Sequence, residues 1–191
     1  TDEGVRIAVV HNGIIENMSA LKAQLVEKGV TFRSETDTEL LPHLIRQHYA
    51  GDPLAAVQAT LQMIRGTYGI AVLFADHPDL IICARHGSPL VVGLGDGETV
   101  IASDPQAVVA HTRRVVYLED RELAVVTADG CQLHRLGGGE LDSNVETIDV
   151  EYEVADREGF PHFMLKEIHE QPRSIRRCLR GRLQVHEGQA K

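Results

Sequence analysis

Basic side chains are scarce in this sequence. Lysine and arginine number 19 against 28 aspartates and glutamates, a formal charge of −9. So acidic a chain offers no surface for neutralising phosphates, which excludes non-specific nucleic-acid binding. Cysteine is scarce too. Cys83, Cys131 and Cys178 lie far apart and form no CxxC pair, a pattern that suits a reducing cytoplasm and excludes a disulfide framework. No apolar run approaches the roughly 20 residues that cross a bilayer, so no membrane partner is expected. Thr1-Asp2-Glu3-Gly4 is neither basic nor hydrophobic and does not read as a signal peptide. The strand pattern begins by Val5, an abruptness expected of a chain that starts inside a domain.

Several chemical signatures are missing as well. There is no GxSxG and no HExxH. His43 and His48 share a predicted helix, but five residues apart they miss the i, i+4 spacing of a metal pair. Gly93, Gly95 and Gly97 open no helix, so a phosphate loop is excluded. No metal site and no cofactor is assigned.

What remains is an ordinary globular composition, 43% hydrophobic and 25% charged, long enough to bury a core. Val5 to Val10 reads as a short strand buried on both faces, ending at a His11-Asn12-Gly13 turn. A helix capped by Asn17 or Ser19 follows, carrying Leu21, Leu25 and Val26. In Ser34-Glu35-Thr36-Asp37-Thr38-Glu39, Thr36 and Glu39 have capping-box spacing, and Asp37 or Thr38 could cap instead. The next helix turns Leu41, Leu44, Ile45 and Tyr49 inward, and a third opens at Asp52-Pro53. From Tyr68 the period changes to that of strands: 69–74, 80–84, 89–94, 99–102, 115–118, 122–127 and 131–136. Turn residues such as Asp76-His77-Pro78-Asp79 separate them, with a short helix after Ser103-Asp104-Pro105. Short connections require antiparallel neighbours. Residues 142–160 read as an acidic linker, and a helix interrupted by Pro172 runs from Pro161 to Leu179. The architecture is helices on a mainly antiparallel sheet.

Three polar groups stand out. At His11-Asn12-Gly13 a side-chain amide and a following backbone N–H could aim at one oxygen, as an oxyanion hole requires. The same residues could form a plain Asn-Gly turn. Asp37, at a helix start, could bind a substrate ammonium or merely cap the helix. His111-Thr112-Arg113-Arg114 could bind an anion, although a solvated loop suits it better.

Taken in order, a set of segments resembles the glutaminase domain of the glucosamine-6-phosphate synthase family, within the class II glutamine amidotransferases. They are Val10 to Asn17, Ser34 to Glu39, Arg65-Gly66-Thr67-Tyr68-Gly69, Ser88 to Gly95, Ala102-Ser103-Asp104, and Pro161 to Pro172. The resemblance implies an α+β fold, an αββα sandwich of the N-terminal-nucleophile-hydrolase kind with mainly antiparallel sheets, incomplete at its N-terminus. It implies a partial glutaminase domain over 1–141. Residues 142–191 would then be a linker and the start of the connection to a sugar-phosphate isomerase domain. It assigns Asn12 and Gly13 to the oxyanion hole and Asp37 to the α-ammonium of L-glutamine. The ammonia released would pass to fructose 6-phosphate, giving glucosamine 6-phosphate in a cytoplasmic homodimer.

The family's terminal Cys-Gly-Ile and its Arg-Trp-Ala-Thr-His-Gly stretch have no counterpart in the 191 residues. N-terminal threonine can be a nucleophile, but Thr1 falls on the order of 20–30 Å from Asn12 along the strand. The expectation is therefore a chain without glutaminase activity of its own. Two other readings compete with it. One is another class II amidotransferase, such as an amidophosphoribosyltransferase, which would lack the Phe163 to Ile168 segment. The other is a non-catalytic binding or regulatory module on the same scaffold.

Overall fold

The computed structural model describes residues 1, 4, 6–148, 158–179, 183–184 and 189–190. It divides into two compact units, Thr1–Val150 and Glu151–Lys191. In the first, β1 (Ile7–Ile15) leads to α1 (Met18–Glu27), a 3₁₀ turn (Asp37–Glu39), α2 (Leu40–His48) and α3 (Pro53–Met63). Then come β2 (Gly66–Phe74), β3 (His77–His86), β4 (Val91–Leu94), β5 (Thr99–Ala102) and α4 (Gln106–Val109). After these follow β6 (Arg114–Tyr117), β7 (Glu122–Thr127), β8 (Gly130–Arg135), β9 (Glu140–Leu141) and β10 (Glu146–Thr147). The second unit holds α5 (Phe163–Leu179), which continues through Pro172 rather than breaking there, and a small hairpin of β11 (Leu183–Gln184) and β12 (Gln189–Ala190).

Two antiparallel sheets form the first unit. One has the order β1-β2-β3-β7-β8-β9, the other β10-β6-β4-β5. Strand alternation gives each sheet two faces, and the chain fills them differently. Ile7, Ile15, Ile70, Val72, Phe74 and Ile82 pack against Leu21, Leu25, Leu41, Leu44, Val57 and Leu61 of the three helices. Their neighbours Cys83, Ala124 and Val126 turn the other way, onto Val92, Val116 and Leu118 of the second sheet. The result is helix, sheet and sheet in layers, with α4 the short helix on the second sheet. There Gly93 admits the buried Val108, since a Cβ at Gly93 would lie 2.1 Å from the valine Cγ1. This is the α+β, antiparallel architecture that the resemblance implied.

β1 departs from expectation in two ways. It does not stop at a His11-Asn12-Gly13 turn: it pairs with β2 without interruption from Ile7↔Phe74 to Ile15↔Gly66. Nine consecutive pairings outweigh the local turn preference of Asn-Gly. Nor is it buried on both faces, because Val10 and Ile14 are 68% and 67% exposed. Its first expected residue, Val5, lies outside the described residues. β3 likewise absorbs the expected turn at His77-Pro78, with a register shift at Leu73/Phe74. Proline is tolerated there because it falls at a strand start.

The two faces of β1 should respond differently to truncation. Ile7→Ala, at a site 1% exposed, should lose about 2–5 kcal/mol of unfolding free energy in urea. Val10→Ala should stay within about 0.5 kcal/mol. Equal losses would mean that the Val10 face is covered in solution.

Candidate functional site

The hydrogen-bond phase of β1 decides which of its groups are free. Glu16 N–H donates to the Arg65 carbonyl at 2.9 Å, and Ala75 N–H to the Arg6 carbonyl at 2.8 Å. In an antiparallel ladder this makes the even-numbered residues of β1 the hydrogen-bonded partners of β2. The amides of Val9, His11, Gly13 and Ile15 therefore point away from β2. β1 is the edge strand, so they point off the sheet. Gly13 thus presents an N–H that no strand among the described residues takes up.

Side chains follow the other alternation. Ala8, Val10 and Asn12 share the face turned from the helices, opposite Leu73, Ala71 and Gly69. Together with Ile81, Leu90, Ile101 and Ser103 they line a cleft of about 480 Å³. Asn12 is exposed at this cleft, a carboxamide on a largely apolar wall. Gly13 beside it has φ +142°, and a Cβ there would sit 2.1 Å from the Thr67 carbonyl oxygen. No other residue fits this backbone without shifting β1 from β2.

Asp37 is brought to the same edge. Its Oδ2 accepts the outward N–H of Ile15 at 2.9 Å, and its side chain stays 24% exposed. It caps no helix, and Thr36 makes no side-chain cap bond. The expected capping box is also absent. Glu39 folds back to accept from Arg33 N–H at 2.8 Å, Ser34 N–H at 2.6 Å and the Ser34 hydroxyl at 2.6 Å. Partial burial pushes its carboxyl up, but the Ser34 and Arg33 donors and the nearby His43 outweigh that and bring it down to about 2. The Glu39 bonds close the 33–39 loop and hold Asp37 at its tip. Asn17 plays a similar part at the end of β1. Its amide does not cap α1 but bridges the Met63 carbonyl and Arg65 N–H, each at 2.9 Å.

Asp37 therefore lies against the strand that carries Asn12 and Gly13, although 22 residues separate it from Ile15. Sequence reasoning missed Glu39 and also His11, whose ring is 1% exposed behind β1. A polar residue in phase with Ile7, Val9 and Ile15 was the available signal. The His111-Thr112-Arg113-Arg114 segment does not join this site. His111 pairs with Glu98 at 3.3 Å, and Thr112 donates to the Leu94 carbonyl beside a separate shallow depression.

Two of the three cysteines are poor nucleophiles. Burial, with Cys131 nearby, pushes the Cys83 thiol up to about 12, and burial raises that of Cys131. Cys178 is exposed but belongs to the second unit. Among the described residues no group of three His, Cys, Asp or Glu side chains could hold a metal. No helix among them is long and apolar enough to cross a membrane.

The family model described as "Glutamine amidotransferase domain" matches residues 1–110. The chain belongs to that family. It is 48% identical over 188 residues to the isomerizing glutamine--fructose-6-phosphate aminotransferase of Symbiobacterium thermophilum, covering 98% of this chain and 31% of that protein. The like-named protein of Chlorobaculum tepidum is 48% identical over 186 residues, with 95% and 30% covered. Among solved structures, a glutamine phosphoribosylpyrophosphate amidotransferase from B. subtilis, complexed with ADP and GMP, superposes with a TM-score of 0.59. It is 28% identical and covers 68% of this chain and 29% of that one. The chain thus spans about a third of the length of these relatives. The structural neighbour agrees with the N-terminal-nucleophile-hydrolase class of fold.

The loop that carries Asp37 in this amidotransferase domain should be sensitive to acid. The folded Glu39 carboxyl, at about 2 against an ordinary 4.5, stabilises the fold above pH ~4.5 and loses that effect as pH falls towards 2. Glu39→Gln should lower the melting temperature at pH 7 and converge on the parent chain near pH 2–3. A constant gap across that range would show that Glu39 does not hold the loop through its charge.

Proposed function

We propose that this amidotransferase domain is the glutamine-hydrolysing part of an isomerizing glutamine--fructose-6-phosphate aminotransferase of the full length of its relatives. The observation that carries the reading is the outward N–H of Gly13, on the same edge of β1 as the Ile15 amide that Asp37 holds, with Asn12 exposed next to it in sequence. These groups match the two ends of glutamine. Gly13 and Asn12 would donate to the oxygen that becomes negative as the carboxamide carbon turns tetrahedral. Asp37 would take the α-ammonium. Gly13 and Ile15 amides are two residues apart, about 6.6 Å at 3.3 Å per residue. An extended glutamine reaches roughly that far from its side-chain oxygen to its ammonium, given bonds of about 1.5 Å.

Neither Cys83 nor Cys131 suits attack at this position, and the nucleophile would be the family's N-terminal cysteine, with its own α-amino group as base. On this reading the 191 residues by themselves hydrolyse no glutamine. Ammonia would then reach fructose 6-phosphate in a sugar-phosphate domain entered through residues 142–191, within a cytoplasmic homodimer. The 48% identity to the aminotransferases supports this acceptor over phosphoribosylpyrophosphate, the ligand in the name of the 28% identical structural neighbour.

Kinetics of the full-length protein test the assignment. Asn12→Ala should lower kcat roughly 10²–10³-fold and leave KM for glutamine nearly unmoved, because the donor acts on the charged intermediate. Asp37→Asn should act mainly on KM, since the ammonium is present in substrate and transition state alike. Full glutaminase activity in Asn12→Gly would remove Asn12 from the oxyanion hole.

A further inference from the structure

His11 occupies a position that an apolar residue would fill at less expense. Strand alternation turns its ring towards the helices, with Ile7 and Ile15, and leaves the side chain 1% exposed. Its Nδ1 has two polar neighbours, both on the 3₁₀ turn: Thr38 Oγ1 at 3.3 Å and Asp37 Oδ1 at 3.7 Å. Its Nε2 is buried with no hydrogen-bond partner among the described residues. A buried polar atom left unpaired typically costs about 1–3 kcal/mol. The tautomer that limits this loss carries its proton on Nδ1, donates to the Thr38 hydroxyl oxygen and leaves Nε2 a bare lone pair.

The geometry gives this arrangement a use. Asp37 meets β1 at two places: Oδ2 receives the Ile15 amide at 2.9 Å, and Oδ1 faces His11. Residues 11 and 15 flank Asn12 and Gly13. The two oxyanion donors therefore lie on a stretch of strand tethered at both ends to the turn that bears the carboxylate. We propose that His11 is a positioning residue, which holds Asp37 in register with the Asn12 and Gly13 donors. The proposal rests on the reading of those three residues given above. It assigns His11 no contact with substrate. A single tether at Ile15 would leave the turn free to pivot, and a displacement of about 1 Å suffices to cost 10²-fold in rate.

The test is made in the full-length protein with four substitutions. His11→Phe keeps a buried ring and removes the unpaired nitrogen, so its melting temperature should equal or exceed that of the parent. Its kcat/KM for glutamine should nevertheless fall roughly 10–100-fold, largely through KM. Thr38→Val removes the same contact from the other side and should show the same loss, which decides the matter even if His11→Phe does not fold. His11→Asn, whose amide can stand where Nδ1 stood, should recover most of the activity. In an Asp37→Asn background, His11→Phe should add less than about twofold, because positioning then has no carboxylate to act on. Parent-like kinetics in both His11→Phe and Thr38→Val would overturn the proposal. So would losses that track melting temperature and are equal with or without Asp37. If Asp37→Asn alone leaves KM unchanged, the ammonium reading itself fails, and the role of His11 fails with it. If Asp37→Asn raises KM while His11→Phe is silent, the positioning role alone is lost.

Discussion

Ile15 N–H is an outward-facing amide of an edge strand, and it donates to the Asp37 carboxylate at 2.9 Å. Much of the site depends on that bond. A hydrogen bond to a charged group is worth about 1.5–3 kcal/mol, and here it ties the 33–39 loop to a rigid strand. The loop arrives already shaped, because Glu39 gathers the Arg33 and Ser34 donors on its own carboxylate. An edge strand normally presents its free amides as a template for another chain. In this fold one such amide holds an acidic side chain, and the Gly13 amide two residues earlier points off the sheet beside it.

The packing explains why β1 can bear this. Its helix-side residues, Ile7 and Ile15, are 1% and 3% exposed in a core shared with α1, α2 and α3. That anchorage fixes the strand from behind, so the opposite face can carry Asn12 at an open cleft without the strand moving. The positive φ of Gly13 belongs to the same design. With a Cβ the strand would be driven off the Thr67 carbonyl, and the amide of residue 13 would lose its direction. Register, burial and backbone conformation thus converge on two adjacent residues.

Much of the fold was legible before the structure. The shift from helical to alternating periodicity near Tyr68, the strands at 122–127 and 131–136, and the antiparallel pairing all follow from local pattern and connection length. Residues 11–13 and 36–39 were harder, for a shared reason. Asn-Gly favours a turn and Thr36…Glu39 favours a capping box when only neighbours are considered. Pairing with β2, at Ile70, Gly69 and Tyr68, carries the first through as strand. Backbone donors at 33 and 34 draw the Glu39 carboxylate away from the second. The placement of Asp37 against the strand that carries Asn12 had no local signature at all, and only the resemblance to a family joined them. His11 was hidden by the same error: with β1 ended at Val10, its place in the core phase of the strand could not be seen.

A crystal structure of the full-length protein with L-glutamate bound would test the central claim most directly. The α-ammonium should lie within about 3 Å of an Asp37 oxygen, and a side-chain carboxylate oxygen should accept from Gly13 N–H and the Asn12 amide at ordinary hydrogen-bond lengths. Glutamate bound with its ammonium away from Asp37, or with no oxygen facing the Gly13 amide, would contradict it.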